Sequence, residues 1–339
     1  MKIDEIKKRM LVTGGAGFIG SNFIRWMLNK YAHLQIINLD KLTYAGNLDN
    51  LSDFNENKYH TFVKGDICDK ALVDELMKEV EIVVHFAAET HVDRSIMEAG
   101  DFLQTDVIGT FTLLEAAKKH HCKLFIQIST DEVYGSIEKG YCTEKSTLMP
   151  SNPYSASKAG ADRLASAYWI TYQLPVIITR CSNNYGPYQH PEKLIPLFIT
   201  NAIENKQLPL YGDGLNVRDW IYVDDHCSAI EAIITKGSIG EVYNIASHHF
   251  RNNQCVTKLL LSYLKKPETL IKYVKDRPGH DRRYAISNAT LKKLDWKPLT
   301  NFKTGLKKTV QWYLQNRTWW EKIKYKNEEF IKFHDAHYK

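Results

Sequence analysis

The run Met10-Leu-Val-Thr13-Gly14-Gly-Ala-Gly17-Phe-Ile-Gly20 decides how this chain folds. Met10 to Thr13 is a short apolar strand that enters the glycines directly, and Ser21 to Leu28 continues with helical periodicity. A strand, a glycine turn and a helix in that order bring backbone N–H groups and the positive end of a helix up to a pyrophosphate. The glycine spacing alone also occurs in ordinary tight turns, so the flanking strand and helix carry the weight. The reading predicts an α/β chain: a Rossmann-type, doubly wound parallel sheet with a smaller, interleaved C-terminal substrate-binding domain.

Working outward, the second strand, Gln35 to Leu39, ends at Asp40, 20 residues beyond Gly20. An acid there accepts the ribose hydroxyls of NAD and repels the 2′-phosphate of NADP. Lys41 and Thr43 follow it, with no arginine to welcome a second phosphate, so NAD is the expected cofactor. Further strands are predicted at Tyr59 to Lys64, leading to Gly65-Asp66-Ile67, and at Glu81 to Phe86, leading to Ala87-Ala88-Glu89-Thr90-His91. Asp66 and Ile67 suit the edge and face of an adenine, although an acid just before Lys70 also suits a helix cap. Helices are predicted over Phe102 to Lys119 and Pro153 to Tyr172, and strands over Leu124 to Ile128 and Val176 to Arg180. Both helices carry more apolar surface than one sheet face needs, which predicts a helix-to-helix homodimer.

The strand Leu124 to Ile128 delivers Ser129-Thr130-Asp131-Glu132-Val133-Tyr134-Gly135 to its carboxyl end, where open α/β sheets bind ligands. Tyr154 and Lys158 stand one turn apart on the following helix. A lysine and a nicotinamide cation lower the tyrosine's ordinary value of about 10, so Tyr154 can take a hydroxyl proton while Thr130 holds that hydroxyl. Alcohol oxidation has no use for Asp131 and Glu132. Beside a ketone, however, one carboxylate can remove an acidified C–H proton while a protonated acid helps the next hydroxyl to leave. Taken alone, two adjacent acids are as often a solvated turn; Thr130 and Tyr154 tip the balance.

Beyond residue 182 the pattern becomes turn-rich, through Asn183-Asn184-Tyr185-Gly186-Pro187, Pro191 to Pro196 and Leu208 to Gly214. The predicted division is 1–182 for the NAD-binding part, with 220–246 returning to it, and 183–339 mainly for a sugar nucleotide. Asp224 to Thr235 reads as a helix and Glu241 to Ala246 as a returning strand. Arg218 and Arg277, in turn-rich segments, are candidates to clamp a diphosphate, although a lone arginine is more often an ion-pair partner. His91 and Asp93 stand where they can reach the sugar, and a structural hydrogen bond is the equal alternative for His91.

The formal charge of +6 arises from 45 basic and 39 acidic residues spread along the chain, without the basic stripe of a nucleic-acid binder. No apolar run reaches membrane-spanning length, and Met1 to Arg9 has no apolar signal core. The six cysteines are scattered, without zinc spacing, which predicts reduced and mostly buried thiols, no metal and a cytoplasmic protein. The Lys-rich tail after Trp320 reads as a solvated surface helix.

Several motifs together resemble the dTDP-glucose 4,6-dehydratases of the extended short-chain dehydrogenase/reductase superfamily. They are Thr13 to Ser21, Asp40 to Asn47, Gly65 to Asp69, His85 to Ser95, Ser129 to Gly135, Tyr154-Ser-Ala-Ser-Lys158 and Arg180 to Pro187. The resemblance covers about residues 9–320, and Thr-Asp-Glu is its most specific part. It implies an NAD-dependent cycle in deoxysugar nucleotide biosynthesis. Tyr154, with Thr130 and Lys158, oxidises sugar C4; Glu132 takes the C5 proton and Asp131 protonates the departing C6 hydroxyl; hydride then returns to C6. It also implies NAD contacts from Gly14, Gly17, Phe18, Ile19, Gly20, Asp40, Lys41, Leu42, Thr43, Asp66, Ile67, Phe86, Ala87, Ala88, Glu89, Thr105, Tyr154, Lys158 and Asn184. Sugar-nucleotide contacts follow from Thr90, Asn183, Lys193, Leu194, Pro209, Leu210, Tyr211, Arg218, Asn253, Arg277 and His280, and a homodimer from the two long helices. The chain departs from the family pattern at Ala246 to Phe250, in a short Leu259 to Lys275 segment and at Ser287. These departures lie in the substrate half and bear on thymine against uracil. A UDP-glucose 4,6-dehydratase, a nucleotide-sugar 4-epimerase and a non-catalytic NAD-binding protein are the competing readings.

Overall fold

The computed structural model describes Ile3, Ile6 and residues 9–332; most of the charged start and the last residues of the Lys-rich tail lie outside the described residues. Strands β1 (Arg9–Thr13), β2 (Ile36–Asp40), β3 (His60–Lys64), β4 (Val80–His85), β5 (Leu124–Thr130) and β6 (Val176–Cys181) build the main sheet. After β7 (Asn183–Tyr185), β8 (Leu208–Tyr211) and β9 (Val217–Tyr222), the chain returns with β10 (Val242–Ile245). It then adds β11 (Phe250–Asn252) and β12 (Ile271–Val274). The main sheet is parallel, in the order β10-β6-β5-β4-β1-β2-β3. Its order reverses direction at β1 and β4, the crevice where doubly wound sheets bind dinucleotides. The predicted fold class is therefore the observed one.

Apolar residues on both sheet faces explain why the strands are buried runs. Phe23, Ile24, Met27, Ile230 and Ile233 cover one face; Leu113, Leu114, Phe125 and Val176 belong to the core on the other. Each such side chain stabilises the fold by roughly 1.5–3 kcal/mol on burial. Two small sheets, β11-β9-β7 and β12-β8, carry the second lobe.

The helix Pro153–Tyr172 starts on an Asn152 capping box with proline in its first turn, and stops where Gln173 takes a left-handed φ of 57°. The predicted helix Phe102 to Lys119 is instead three pieces: Ala99–Phe102, a π turn Leu103–Gly109, and Thr110–Lys119. The Thr110 hydroxyl donates to the Asp106 carbonyl within this widened turn, and Gly109 lies against Ile67, whose Cδ1 would stand 2.4 Å from an added Cβ. Strand β5 runs two residues past its predicted end, because Ser129 and Thr130 still pair with Arg180 and Cys181.

Among the described residues, the tail beyond Trp320 is not wholly solvated: Ile323, Lys324 and Phe330 are buried, and the Lys324 ammonium donates to Glu204 at 2.7 Å and Asn201 at 2.9 Å; the helix Arg317–Lys326 also buries Trp319 and Trp320. The cysteines are all free, with Cys122, Cys181 and Cys227 buried, Cys68 and Cys142 half-buried and Cys255 exposed. Among the described residues, no helix is long and apolar enough to cross a membrane.

Candidate active site

The glycine turn exists because side chains do not fit it. Gly14 has φ 69°, and a Cβ there would lie 2.6 Å from the Ala87 nitrogen; at Gly20 it would lie 2.3 Å from the Gly14 carbonyl oxygen. Gly17 begins the helix Phe18–Lys30 without a side-chain cap, which leaves the first N–H groups to a ligand. Above this turn lies a cavity of about 320 Å³. Every predicted cofactor residue lines it except Leu42. Leu42 has φ 59°, and its N–H donates to Asp40 Oδ1 at 2.8 Å. Ala45, Gly46, Gly65, Gln189, His190 and His226 also line the cavity without having been read from sequence.

Asp40 Oδ2 accepts the Ala16 N–H at 2.9 Å, and burial raises its carboxyl above the ordinary value. Each oxygen keeps a lone pair for a further donor. Lys41 pairs with Asp66 at 2.8 Å, and the helix cap goes to Asp69, which accepts from Ala71 and Leu72. A cradle that only glycine fits, an acid at the second strand end and the unpartnered Ser182 Oγ and Asn183 Oδ1 suit a dinucleotide.

All five residues singled out for chemistry line the same cavity. Thr130 caps the short turn Asp131–Tyr134, accepting the Glu132 N–H at 3.2 Å and donating to Asp131 Oδ1 at 3.3 Å. Asp131 is 2% exposed and its Oδ2 has no hydrogen-bond partner among the described residues. Burial, and then the charge of Glu132, push its carboxyl well above the carboxylate range, which favours the protonated form of Asp131. Glu132 is half-buried and its Oε2 accepts from the Tyr284 hydroxyl at 3.4 Å. The two neighbours thus occupy different environments, the arrangement that separates acid from base.

Burial, followed by Glu132, Asp106 and Asp131, raises the Tyr154 phenol; the Thr130 hydroxyl beside it works the other way. Lys158 donates to the Ile128 carbonyl at 2.9 Å, and burial lowers its ammonium against the pull of Asp106 and Asp162. Asp106, in the π turn, accepts from the Ser157 hydroxyl at 2.6 Å and the Glu89 N–H at 2.9 Å, and burial lifts it to about 6. Burial, with Asp106 and Asp101, lifts Glu89 to about 7.

A second cavity of about 180 Å³ meets the first at Glu132, Asn183 and Lys193. Leu194, Pro209, Leu210, Tyr211, Arg218, Asn253, Arg277 and His280 line it, and Thr90 lines the first. Arg218 lies over the Tyr284 ring at 4.4 Å and donates to the Asp281 carbonyl at 3.0 Å. Arg277 pairs with Asp93 at 3.2 Å, leaving Nε without a partner, and Lys193 donates to Thr90 Oγ1 at 3.1 Å. His91 and Asp93 both line this cavity, with His91 Nδ1 3.9 Å from Asp93 Oδ2. Tyr284 and Glu192 line it too, and sequence reasoning assigned a site role to neither: Tyr284 served only to locate the departure at Ser287, and Glu192 reads as part of a proline turn.

The departing segment forms a tied loop. Asp219 accepts the Ser247 hydroxyl at 2.9 Å and the N–H groups of Ser247, His248 and His249 at 3.1, 3.0 and 2.7 Å.

Residues 11–309 match the family model described as GDP-mannose 4,6 dehydratase. A dTDP-glucose 4,6-dehydratase of Neisseria meningitidis is 48% identical over 93% of this chain and 96% of its own length. The dTDP-glucose 4,6-dehydratase DesIV of Streptomyces venezuelae, solved with NAD and TDP bound, superposes with a TM-score of 0.91 at 49% identity, covering 93% of this chain and 99% of its own. The dTDP-glucose 4,6-dehydratase of Bacillus anthracis, solved with NAD, gives 0.88 at 53% identity, with coverage of 93% and 99%.

Proposed function

The chain belongs to the dTDP-glucose 4,6-dehydratases, NAD-dependent enzymes, and from that membership and the geometry of the site we infer that it converts dTDP-glucose to dTDP-4-dehydro-6-deoxy-glucose. One observation carries the inference. Two adjacent acids at the end of β5, one buried and one half-buried and open to both cavities, line the same cavity as a half-buried tyrosine.

NAD, when bound, supplies a hydride acceptor that takes hydride from C4 and returns it to C6. Gly14, Gly17, Gly20, Asp40 and Asp66 would hold its adenosine and phosphate half, and Lys158 and Asn184 the other. Tyr154 takes the C4 hydroxyl proton while Thr130 shares the hydrogen bond. The surrounding acids keep the phenol protonated until positive charge enters the site, and Lys158 is the positive charge that the chain provides. Oxidation acidifies C5–H, and Glu132, at the junction of the cavities, removes that proton and gives it back to C5 when hydride reaches C6. Asp131, kept protonated by burial, gives its proton to the C6 hydroxyl, and water leaves. Arg218, Arg277 and Lys193 hold the diphosphate, and Arg277 Nε is a buried donor with no partner among the described residues.

The functional division is 1–182 with 220–246 for the dinucleotide and 183–339 mainly for the sugar nucleotide. Assembly as a homodimer is supported by the apolar residues Leu103, Ile108 and Phe111 exposed on one long helical segment and Ile170 and Tyr172 on the other. Light scattering at twice 39.2 kDa tests it. The cytoplasm is the compartment that free thiols suit.

The deciding assay offers dTDP-glucose and UDP-glucose side by side and follows product mass. Loss of water from dTDP-glucose, with deuterium from C4 recovered at C6, is the expected result; no turnover of either donor removes the reading.

A further inference from the structure

The C-terminal helix Arg317–Lys326 lies beyond the residues that the family model matches, yet it reaches the dinucleotide cradle. Trp319 Nε1 donates to Asn50 Oδ1 at 2.9 Å, and Asn50 Nδ2 donates to the Ala16 carbonyl at 2.8 Å. Ala16 belongs to the glycine turn, and its N–H is the group held by Asp40 Oδ2 at 2.9 Å. A buried run of hydrogen bonds therefore joins the tail to the acid that faces the cofactor cavity. Trp319 is 8% exposed and Asn50 2%, so water does not compete for these bonds.

The surroundings fix the relay from both sides. Arg25 donates to the Asn50 carbonyl at 2.7 Å, grips Asp53 with two bonds and stacks over Tyr188 at 4.5 Å. Tyr188 packs on Trp312 and Trp319, with ring centroids 4.6 and 6.0 Å away. The turn Leu48–Phe54 that carries Asn50 shows a kink at Leu51, so helical hydrogen bonding alone does not hold it.

We propose that Trp319 is a positioning residue for the cofactor: through Asn50 it fixes the Ala16 peptide, and so keeps Asp40 and the glycine turn closed on the adenosine half of the dinucleotide. The inference rests on the reading of the larger cavity as an NAD site. Its reach is local to that cavity, because the relay ends at Asp40 and does not continue to Arg218 or Arg277.

Trp319→Phe removes the N–H and keeps an aromatic ring in the stack. Release of NAD from the purified protein, followed by fluorescence during chase with excess ADP-ribose, is expected to quicken about tenfold, the scale of one buried hydrogen bond. The affinity for dTDP, by calorimetry, is expected to stay within twofold. Lys322→Ala, on the same helix as Trp319, breaks only an exposed pair with Asp49 of the turn Leu48–Phe54 and is expected to release NAD at the parent rate. Unchanged NAD release in folded Trp319→Phe, or equal loss of NAD and dTDP affinity, overturns the proposal, since general loosening moves both ligands together. If Trp319→Phe does not fold, Asn50→Asp decides by the same measurement, because it keeps the acceptor for Trp319 and loses the donor to Ala16. A parent protein that neither carries nor binds NAD overturns the reading of the cavity as well as this inference, whereas a parent that binds it and a variant that binds it equally well overturn the inference alone.

Discussion

The two cavities that meet at Glu132 are built by different means. Walls of the larger one come from the ends of β1, β2, β4, β5 and β6, whose relative positions are set by parallel register. The smaller one is walled mostly by loops and short strands, and its cations are aimed by side-chain contacts such as Arg277 on Asp93 and Arg218 over Tyr284. Register is a property of many residues, so the strand ends of the first cavity should keep their places when one of their own side chains is lost; its glycine turn, which leans on Asn50, is the exception. The second cavity depends on individual contacts and should not keep its shape when one is lost.

The largest effect that sharpens this contrast is chemical. Tyr154→Phe removes the proposed proton acceptor from a wall set by the sheet, so turnover is expected to fall by about 10²–10⁴ while NAD affinity stays within a fewfold. Stopped-flow absorbance of the reduced cofactor checks the first and calorimetry the second. Equal collapse of both would mean that Tyr154 holds the wall in place.

Next in size is a test of how much charge the sheet-built cavity carries without its ligand. Glu89 stands near 7 in the folded protein against an ordinary 4.5. Between those values the folded state binds more protons than the unfolded one, so stability falls as pH rises through about 4.5 to 7. Glu89→Gln removes that penalty. The ligand-free variant is expected to be more stable than the parent at pH 8, by about 2 kcal/mol, and the two should converge below pH 4.5. Denaturant melts across the range decide it; parallel curves would show that Glu89 does not titrate there.

What could be read in advance follows the same division. The glycine turn, Asp40 and the Tyr154 and Lys158 pair are local spacings on regular elements, and sheet pairing carries them to one crevice wherever the loops go. Leu42, in the same stretch, is not among the lining residues; its N–H donates to Asp40 Oδ1. Tyr284 was invisible because it meets Glu132 across 152 residues of sequence through a single hydroxyl. The tail misled for a third reason: lysines dominate its composition beyond Trp320, while Ile323 and Phe330 join the core of the second lobe and Lys324 is held by Glu204, partners distant in sequence. The π turn at Leu103–Gly109 leaves no periodicity distinct enough from an α-helix to be seen.

In the contact-built cavity, Arg277→Lys keeps the charge and loses the planar fork. The affinity for dTDP is expected to fall about tenfold with NAD affinity unmoved, as calorimetry would show. A loss under twofold would mean that charge alone holds the diphosphate, and the distinction between the two cavities would weaken.

The smallest effect concerns the loop Ala246 to Phe250, the segment that departs from the family pattern. Asp219, fully buried, takes four donors from it, three of them backbone N–H groups that any sequence supplies. Only the Ser247 hydroxyl is particular to this chain's side chains. Ser247→Ala removes one hydrogen bond to a carboxylate that keeps three others, so the expected cost is about 1 kcal/mol of stability with no change in the preference for dTDP over UDP. The reason is geometric: the loop's hold on Asp219 is mainly a backbone property, and Asp219 is next in sequence to Arg218, whose own aim comes from Tyr284 and Asp281. A shift in base preference without a change in melting would show instead that the departing loop reads the base, and would move it from the framework of the second cavity into its recognition surface.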